Sequence, residues 1–180
     1  METHPTRLWE PTFAPAVQMV RIGQLDKAEQ YVDRILADEK AMILRASAIE
    51  DQIQPSGFPM ISEIIAYAHR IAATFYNNIG SEYSAQYKKS PTPVLLAHAI
   101  RVLTKARTWA EEGNKMDLDC QPMLITALYG LGFITLSQGD QQQGVAYLAA
   151  CINQPLPPNE DIPAARQGGV FGNQREASHI

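Results

Sequence analysis

Two helical segments meet at a glycine turn in the stretch Leu128–Leu156, LYGLGFITLSQGDQQQGVAYLAACINQPL. Gly139-Asp140 is a strong turn signal, and an aspartate at this place is a favoured cap for the helix that follows. Gly132 lies seven residues before Gly139, and Gly144 lies five residues after it. Small residues at these two positions allow two helix backbones to approach closely. The stretch therefore predicts an antiparallel helix pair in which Gly132 and Gly144 are in contact.

Helical periodicity continues through most of the remaining chain. From Leu25 onward, apolar or small residues recur at steps of three and four, which predicts one helix of about 30 residues with a buried face. A second helix is predicted over 62–87, with a break near Gly80. Thr92-Pro93 predicts the start of another helix, which we expect to stop at Gly113-Asn114. Because no segment alternates apolar and polar residues, the sequence predicts an all-α fold.

The sequence divides into a helical part and a tail. Residues 1–153 carry the helical pattern and are predicted to form one helical-repeat domain. Residues 154–180 are rich in proline and glycine and are predicted to form an extended or loosely docked C-terminal tail. We therefore expect the helical domain to keep its fold when residues 159–180 are removed.

Composition and charge disfavour several classes of protein. The 180 residues include 15 Lys and Arg against 19 Asp and Glu, a formal net charge of -4, which disfavours nucleic acid as the main ligand. The longest apolar run, Leu124 to Leu136, is too short for a membrane span, which needs about 20 residues. The N-terminal sequence has no apolar core of a secretory signal, and Cys120 and Cys151 occur in apolar helical contexts. We therefore expect a cytoplasmic protein.

The residue types around the glycine turn resemble the tetratricopeptide-repeat (TPR) family. Weaker matches to the pattern surround Gly23 and Gly80, which we interpret as turn glycines like Gly139. The resemblance implies an array of antiparallel helix pairs in a TPR-like right-handed superhelix, or a closely related helical bundle. The positions that match the family pattern are Leu128, Leu131, Gly132, Gly139, Gly144, Leu148 and Cys151.

Two shorter resemblances involve other groups of proteins. The region Leu124 to Arg166 is similar to the helical repeats that end many large bacterial signalling ATPases and transcriptional activators. Residues 62–72, SEIIAYAHRIA, are similar to a helix of the fourth Mediator subunit. The second resemblance competes with the first, and nothing downstream of Phe75 matches it.

The sequence contains no recognisable catalytic or metal-binding motif. Its four histidines and two cysteines do not stand at zinc-binding spacings. Phosphate-binding loops, dinucleotide fingerprints and nucleophile elbows do not occur. The carboxylates of Asp26, Glu29 and Asp33 are interpreted as part of a solvated helix face. We therefore predict no catalytic residue, no metal site and no cofactor, and the sequence leans against an enzyme without deciding the question.

The favoured function is a protein-interaction module, a TPR-like scaffold or adaptor with a role such as signalling. The resemblance implies a concave groove that binds a peptide or a partner helix, and it also allows a homodimer. Leu136 is expected to face the same groove, although Phe133 and Leu136 could equally be core residues. The residues predicted to contact a partner are Tyr67, Arg70, Thr74, Asn77, Asn78, Thr126, Tyr129, Phe133 and Ser137.

The alternative function is small-molecule binding in an enclosed pocket. Such a protein would be the ligand-sensing domain of a bacterial transcriptional or signalling regulator, or a small all-α enzyme. The candidate residues are polar side chains on strongly apolar helices, namely His69, Arg70, Tyr76 and His98. This alternative requires those side chains to converge on one cavity.

Overall fold

The computed structural model describes residues 10–50, 60–116 and 119–155 of the 180-residue chain. Every regular element in these ranges is an α-helix, which confirms the all-α prediction. In chain order the helices of this described part are α1 Glu10–Arg21, α2 Leu25–Glu50, α3 Met60–Lys89, α4 Pro93–Lys115, α5 Gln121–Ser137 and α6 Gln141–Ile152. The tail predicted over 154–180 lies outside the described residues from Leu156 onward.

Successive helices pack as antiparallel pairs, α1 with α2, α3 with α4, and α5 with α6. Gly23 and Gly139 form the turns of the first and third pairs, with φ angles of 77° and 92°. Glycine is favoured there because a side chain is strained at such positive φ angles. Residues 90–92 connect the helices of the second pair. The predicted array of antiparallel helix pairs is therefore confirmed.

Polar side chains cap α4 and α6 as the sequence predicts. The Thr92 hydroxyl accepts a hydrogen bond from the Leu95 amide at 3.2 Å, and Pro93 follows as the first residue of α4. Asp140 accepts from the Gln143 amide at 3.1 Å at the start of α6. Each cap satisfies an amide that has no partner within its own helix.

The predicted break at Gly80 is wrong. Gly80 lies inside α3, which continues without interruption to Lys89, and the turn comes at residues 90–92 instead. A Cβ atom on Gly80 would lie 2.6 Å from Cγ of Leu103, so the glycine allows α4 to pack closely on α3. One glycine costs a helix only about 1 kcal/mol, and the packing around it outweighs that cost.

The predicted end of α4 at Gly113-Asn114 is also displaced, since the helix continues to Lys115. Gly113 packs against the thiol of Cys120, which precedes α5. Oδ1 of Asn114 accepts a hydrogen bond from the Cys120 amide at 2.9 Å. Both residues therefore connect the end of α4 to the beginning of α5.

The apolar core consists of two clusters that share Trp109 and Tyr147 at their border. The first cluster draws on α1 to α5, and the second on α3 to α6. Leu25, Ala28 and Val32 of α2 are buried in the first cluster, which confirms the buried face predicted for this helix. Along the rest of α2 the side chains from residue 39 onward are not described, and Ile53 lies outside the described residues.

Helix α5 packs against α3, α4 and α6, and it contains no charged residue. Its burial from several sides explains why apolar residues occur all around it. None of the described helices combines the length and the apolarity that a membrane crossing would need.

Gly132 and Gly144 lie against each other's helices in the α5–α6 pair, as predicted. A Cβ on Gly132 would lie 2.6 Å from Cδ2 of Leu148, and one on Gly144 would lie 2.6 Å from Cγ of Leu136. A leucine at Gly132 should therefore overpack the contact and lower the free energy of unfolding by about 1–3 kcal/mol. Thermal unfolding followed by circular dichroism measures this loss, and an unchanged midpoint would contradict the close packing.

Candidate functional site

The first helices of the three pairs lie side by side. The rings of Phe13 on α1 and Phe75 on α3 stack with centroids 5.0 Å apart. Between α3 and α5, Nδ2 of Asn77 donates to the Met123 carbonyl oxygen at 3.0 Å. Further along, Nζ of Lys88 lies 4.0 Å from the centroid of the Phe133 ring. These two contacts advance in the same direction along α3 and α5, so the two helices run parallel.

The predicted partner-binding residues of α5 lie on the side toward α3 and solvent. Thr126, Tyr129 and Phe133 are half-buried, and Ser137 is exposed. The ammonium group of Lys88 covers the Phe133 ring, which is a favourable cation–π contact. Leu136 differs from its expected orientation because it packs against Gly144 of α6. Leu136 is thus part of the interface between α5 and α6.

The predicted residues of α3 separate into exposed and buried side chains. Arg70, Thr74 and Asn78 are exposed. Asn77 is only 4% exposed, and its amide connects α3 to α5, so its clearest role is structural. Its Oδ1 is buried and has no hydrogen-bond partner among the described residues. The side chain of Tyr67 lies outside the described part of the molecule.

We define the first-helix face as the side of α3 and α5 that carries the exposed and half-buried residues predicted to bind a partner, together with Lys88. Arg70 and Lys88 mark its two ends on α3. With a rise of about 1.5 Å per residue, they lie roughly 27 Å apart along the helix. A ligand that contacts both ends must therefore be long, about eight residues if it is an extended peptide. The residues of this face are Arg70, Thr74, Asn78, Lys88, Thr126, Tyr129, Phe133 and Ser137.

A second polar feature, the polar network, connects α2, α3 and α4. Its centre is Glu29 of α2, which is only 4% exposed. Arg101 of α4 donates to both Glu29 oxygens at 2.5 and 3.1 Å, and Lys105 donates to Glu29 at 2.7 Å and to Asp33 at 2.8 Å. The interpretation of these carboxylates as a solvated helix face is therefore wrong for Glu29. The members of the network are Asp26, Glu29, Asp33, Tyr76, Tyr83, His98, Arg101 and Lys105.

Two tyrosines of α3 also belong to the polar network. The Tyr76 hydroxyl donates to Asp33 and the Tyr83 hydroxyl donates to Asp26, each at 2.5 Å. Burial, followed by the hydrogen bond to a carboxylate, raises the pKa of both phenols well above the ordinary tyrosine value. Both tyrosines therefore remain protonated donors at neutral pH, so neither is suited to act as a base.

Glu29 stays ionised although it is buried. Burial by itself raises the pKa of its carboxyl group, but the hydrogen bonds and charges of Arg101 and Lys105 outweigh burial and lower the pKa below its ordinary value. Burial by itself lowers the pKa of the Lys105 amine, but the hydrogen bonds and charges of Asp33 and Glu29 outweigh burial and raise the pKa. The buried Glu29 carboxylate and the half-buried Lys105 amine thus form an ion pair at neutral pH. Its geometry fits a structural connection between the first two helix pairs.

The four residues considered for an enclosed pocket do not converge on one place. His98 and Tyr76 belong to the polar network, where Nδ1 of His98 lies 3.3 Å from Asp26. His69 is buried, and its Nδ1 lies 3.1 Å from the Trp109 carbonyl oxygen. Trp109 follows His98 by 11 residues on α4, which is about 16 Å along the helix. Arg70 is exposed on another side of the helices.

The two cysteines lie in the core of the α5–α6 region. Both thiols are buried, and burial raises the pKa of each to about 11. The Cys151 thiol donates weakly to the Ile125 carbonyl oxygen at 3.5 Å. A buried thiol with a raised pKa is a poor nucleophile, and Cys151 is therefore a packing residue of the core.

Sequence reasoning missed the polar network and Lys88, although one signal for the network was present. Asp26, Glu29 and Asp33 are spaced by three and four residues, and the basic residue types His98, Arg101 and Lys105 repeat that spacing. Matching charge patterns on two helices indicate facing surfaces. The sequence offers no comparable signal for Lys88, because its contact depends on the length of α3.

The described residues were also compared with the requirements of a metal site, and the chain was compared with known proteins. Within residues 10–50, 60–116 and 119–155, no three His, Cys, Asp or Glu side chains come together in a way that could hold a metal ion. Comparisons of the chain with protein-family models, with curated proteins and with solved structures gave no match.

Proposed function

We propose that this chain is a protein-interaction module of the TPR-like type that binds a peptide or a partner helix on the first-helix face. The parallel packing of α3 against α5 carries this proposal, because it aligns Lys88, Tyr129 and Phe133 along one edge. Aromatic and cationic side chains provide much of the binding energy at protein interfaces. In arrays of helix pairs, equivalent helices line an extended binding surface.

The spacing of small residues within the helix pairs supports a repeat architecture. In each pair, a buried small residue on the first helix can be matched with one on the second helix that is followed four positions later by a large buried residue. The small residues are 12 positions apart in the first and third pairs and 19 apart in the second. In the second pair, the two small residues are thus separated by seven more residues than in the other pairs. Seven residues are about two helical turns, so the same sides of the two helices face each other in all three pairs. The three sets are Ala16, Ala28 and Val32; Gly80, Ala99 and Leu103; and Gly132, Gly144 and Leu148.

The chemistry of the face favours an extended segment of a partner protein. The hydroxyls of Thr74 and Ser137 donate to backbone carbonyls of their own helices at 2.8 and 2.9 Å, so their oxygens are left to accept hydrogen bonds. Backbone amides of a bound peptide are suitable donors. Arg70 provides a positive charge for a carboxylate at the other end of the face.

A selection from a phage-displayed random peptide library tests the proposal. We expect the Tyr129→Ala/Phe133→Ala variant to bind the selected peptides at least about 2 kcal/mol more weakly than the wild type, or about 30-fold, because it lacks both aromatic contacts. Isothermal titration calorimetry measures the affinities, and circular dichroism checks that the helix content is unchanged.

Val94→Ala is the matched control, because Val94 is an exposed apolar residue on α4, away from the first-helix face. It should bind the peptides as the wild type does. Equal binding by the double variant would contradict the proposed site. Loss of helix content in that variant would instead show that the two rings are core residues. Turnover of a small molecule by the purified chain would contradict a purely binding function.

The proposal includes a protein or peptide as the partner and a cytoplasmic, reducing environment. The burial of Cys120 and Cys151 in the apolar core supports that environment, because cysteines in such places commonly act as small packing residues. A formal net charge of -4 supports a protein rather than a nucleic acid as the main partner.

A further inference from the structure

The C-terminal helix pair is almost free of charge. From Cys120 to Asn159, Asp140 is the only residue with a charged side chain, although charged residues make up 19% of the chain. The surface of a soluble domain normally carries charged residues on about a quarter to a third of its positions. The scarcity of charged residues on the α5–α6 pair therefore needs another reason.

Helix α6 presents apolar side chains to solvent on its outer side. Val145 is 55% exposed and Ile152 is 42% exposed, and Ala149 between them is also exposed. Their spacing of four and three residues places them on one side of the helix, which we call the α6 outer face. The adjoining side, with Leu148 and Cys151, is buried against α5. The apolar surface of α6 therefore extends beyond the side that α5 covers.

We propose that residues 156–180 of this chain cover the α6 outer face. This segment follows directly after α6, and the structure fixes its point of departure. Nε2 of Gln154 donates to the Ala150 carbonyl oxygen at 3.2 Å, and Oε1 of Gln154 accepts from Gln121 at 2.8 Å. The segment therefore begins beside Ile152, at one end of the outer face.

The length and composition of residues 156–180 are suited to covering the α6 outer face. Helix α6 is about 18 Å long, whereas the 25 residues from Leu156 to Ile180 are enough to run back along it in any conformation. Ile162, Val170 and Phe171 provide apolar side chains for contact with Val145 and Ile152. Contact between them would remove these side chains from water, which is the main driving force for such packing.

Covalent attachment favours this segment over a second copy of the chain. A segment linked directly to α6 has an effective concentration in the millimolar range, which a second copy does not reach at ordinary protein concentrations. The proposal concerns a surface other than the first-helix face, so it does not depend on the proposed partner binding.

Trypsin digestion of the full chain tests the proposal, because Arg166 and Arg175 are the trypsin sites of the segment. A synthetic peptide of residues 156–180 gives the cleavage rate of the undocked segment. In the wild type we expect cleavage at these sites to be about tenfold slower than in the peptide, or slower still, because only the undocked fraction is cut.

The Val145→Glu/Ile152→Glu variant should remove this protection, so that its cleavage rate approaches that of the peptide. Both residues are exposed, so circular dichroism should show unchanged helix content. Phe171→Asp changes the segment itself and should also remove the protection, relative to a peptide with the same substitution. Val94→Glu, at a position that is 63% exposed on α4, is the matched control and should keep the protection.

Two outcomes would overturn the proposal. If the segment is cut as fast in the wild type as in the peptide, or if protection survives the Val145→Glu/Ile152→Glu substitutions, then it does not cover this face. If protection decreases when the protein is diluted about a hundredfold, the occupant is a second copy of the chain rather than the attached segment.

Discussion

Replacing both Arg101 and Lys105 by methionine should lower the free energy of unfolding by about 3–5 kcal/mol at pH 7, because Glu29 is then buried without a partner charge. In the wild type these two cations make all of the ion pairs of Glu29 within the described part of the chain, at 2.5 and 2.7 Å. Methionine keeps much of the apolar side-chain length, so the decrease in the free energy of unfolding arises mainly from the removal of the two charges. Urea unfolding followed by circular dichroism measures it.

Two further variants separate the charge effect from packing. Adding Glu29→Gln to the double variant should recover much of the loss, because a neutral amide is far less costly to bury than a carboxylate. Arg107→Met is the matched control, since Arg107 pairs with Glu111 at a partly exposed position on α4. Its cost should stay below about 1 kcal/mol. A small effect of the Arg101/Lys105 double substitution would contradict the role of Glu29 as a buried charge.

The pH dependence of stability should reverse in the same double variant. In the wild type the pKa of Glu29 is lowered, so its contribution is present above the unfolded value of about 4.3 and is lost as the pH falls through the folded value. Without the two cations, burial remains and raises the pKa of Glu29. Stability of the variant should then rise as the pH falls from 7 toward 4.5. Urea unfolding across this pH range, compared with Arg107→Met, measures the difference in slope.

Leu103→Ala should lower the free energy of unfolding by about 2–5 kcal/mol, because it leaves a cavity between α3, α4 and α5. Leu103 is 1% exposed, and its side chain lies over the Cα positions of Gly80 and Gly130. Its loss therefore removes contacts with two neighbouring helices at once. Chemical unfolding of the variant measures the cost directly.

The effect of Gly80→Ala should change sign with the residue at position 103. In the wild type the added Cβ would lie 2.6 Å from Leu103, and overpacking should cost about 1–3 kcal/mol. In the Leu103→Ala background the space is open, so the better helix propensity of alanine should stabilise the protein by up to about 1 kcal/mol. Ser81→Ala, at an exposed neighbouring position, should change stability by less than about 0.5 kcal/mol in both backgrounds. The same effect of Gly80→Ala in both backgrounds would contradict the close contact.

The helix pairs differ in how they are joined to each other. The first and second pairs meet through the polar network centred on Glu29. The second and third pairs meet through apolar packing, with Leu103 against Gly130, and through side-chain hydrogen bonds from Asn77 to Met123 and from Asn114 to Gln121. Loss of the polar network should therefore weaken mainly the α1–α2 pair, while the first-helix face on α3 and α5 depends on the apolar contacts.

The predicted partner-binding residues illustrate how far sequence can define a site. Thr126, Tyr129 and Phe133 do share one side of α5, because residues three and four apart on a helix always do. Asn77 was expected on a binding surface but bonds to the Met123 carbonyl instead. The period of α3 alone does not reveal which side of it α5 occupies.

Local sequence determined the helices, two of their caps and two of their turns. The three- and four-residue steps of α2, the capping residues Thr92 and Asp140, and the glycines at positions 23 and 139 depend on neighbours within a few residues. Interactions of that range are the same in the isolated segment and in the folded chain, which is why they are readable from the sequence.

Tertiary structure alone decided the roles of Gly80 and Glu29. A glycine in a helical segment fits a turn and a close helix contact equally well, and only the position of Leu103 on α4 distinguishes them. A glutamate three residues after Asp26 and four residues before Asp33 fits a solvated face until Arg101 and Lys105, 72 and 76 residues away, bring two cations to it. In both cases the deciding free energy comes from another helix, so it is absent from any local stretch of the sequence.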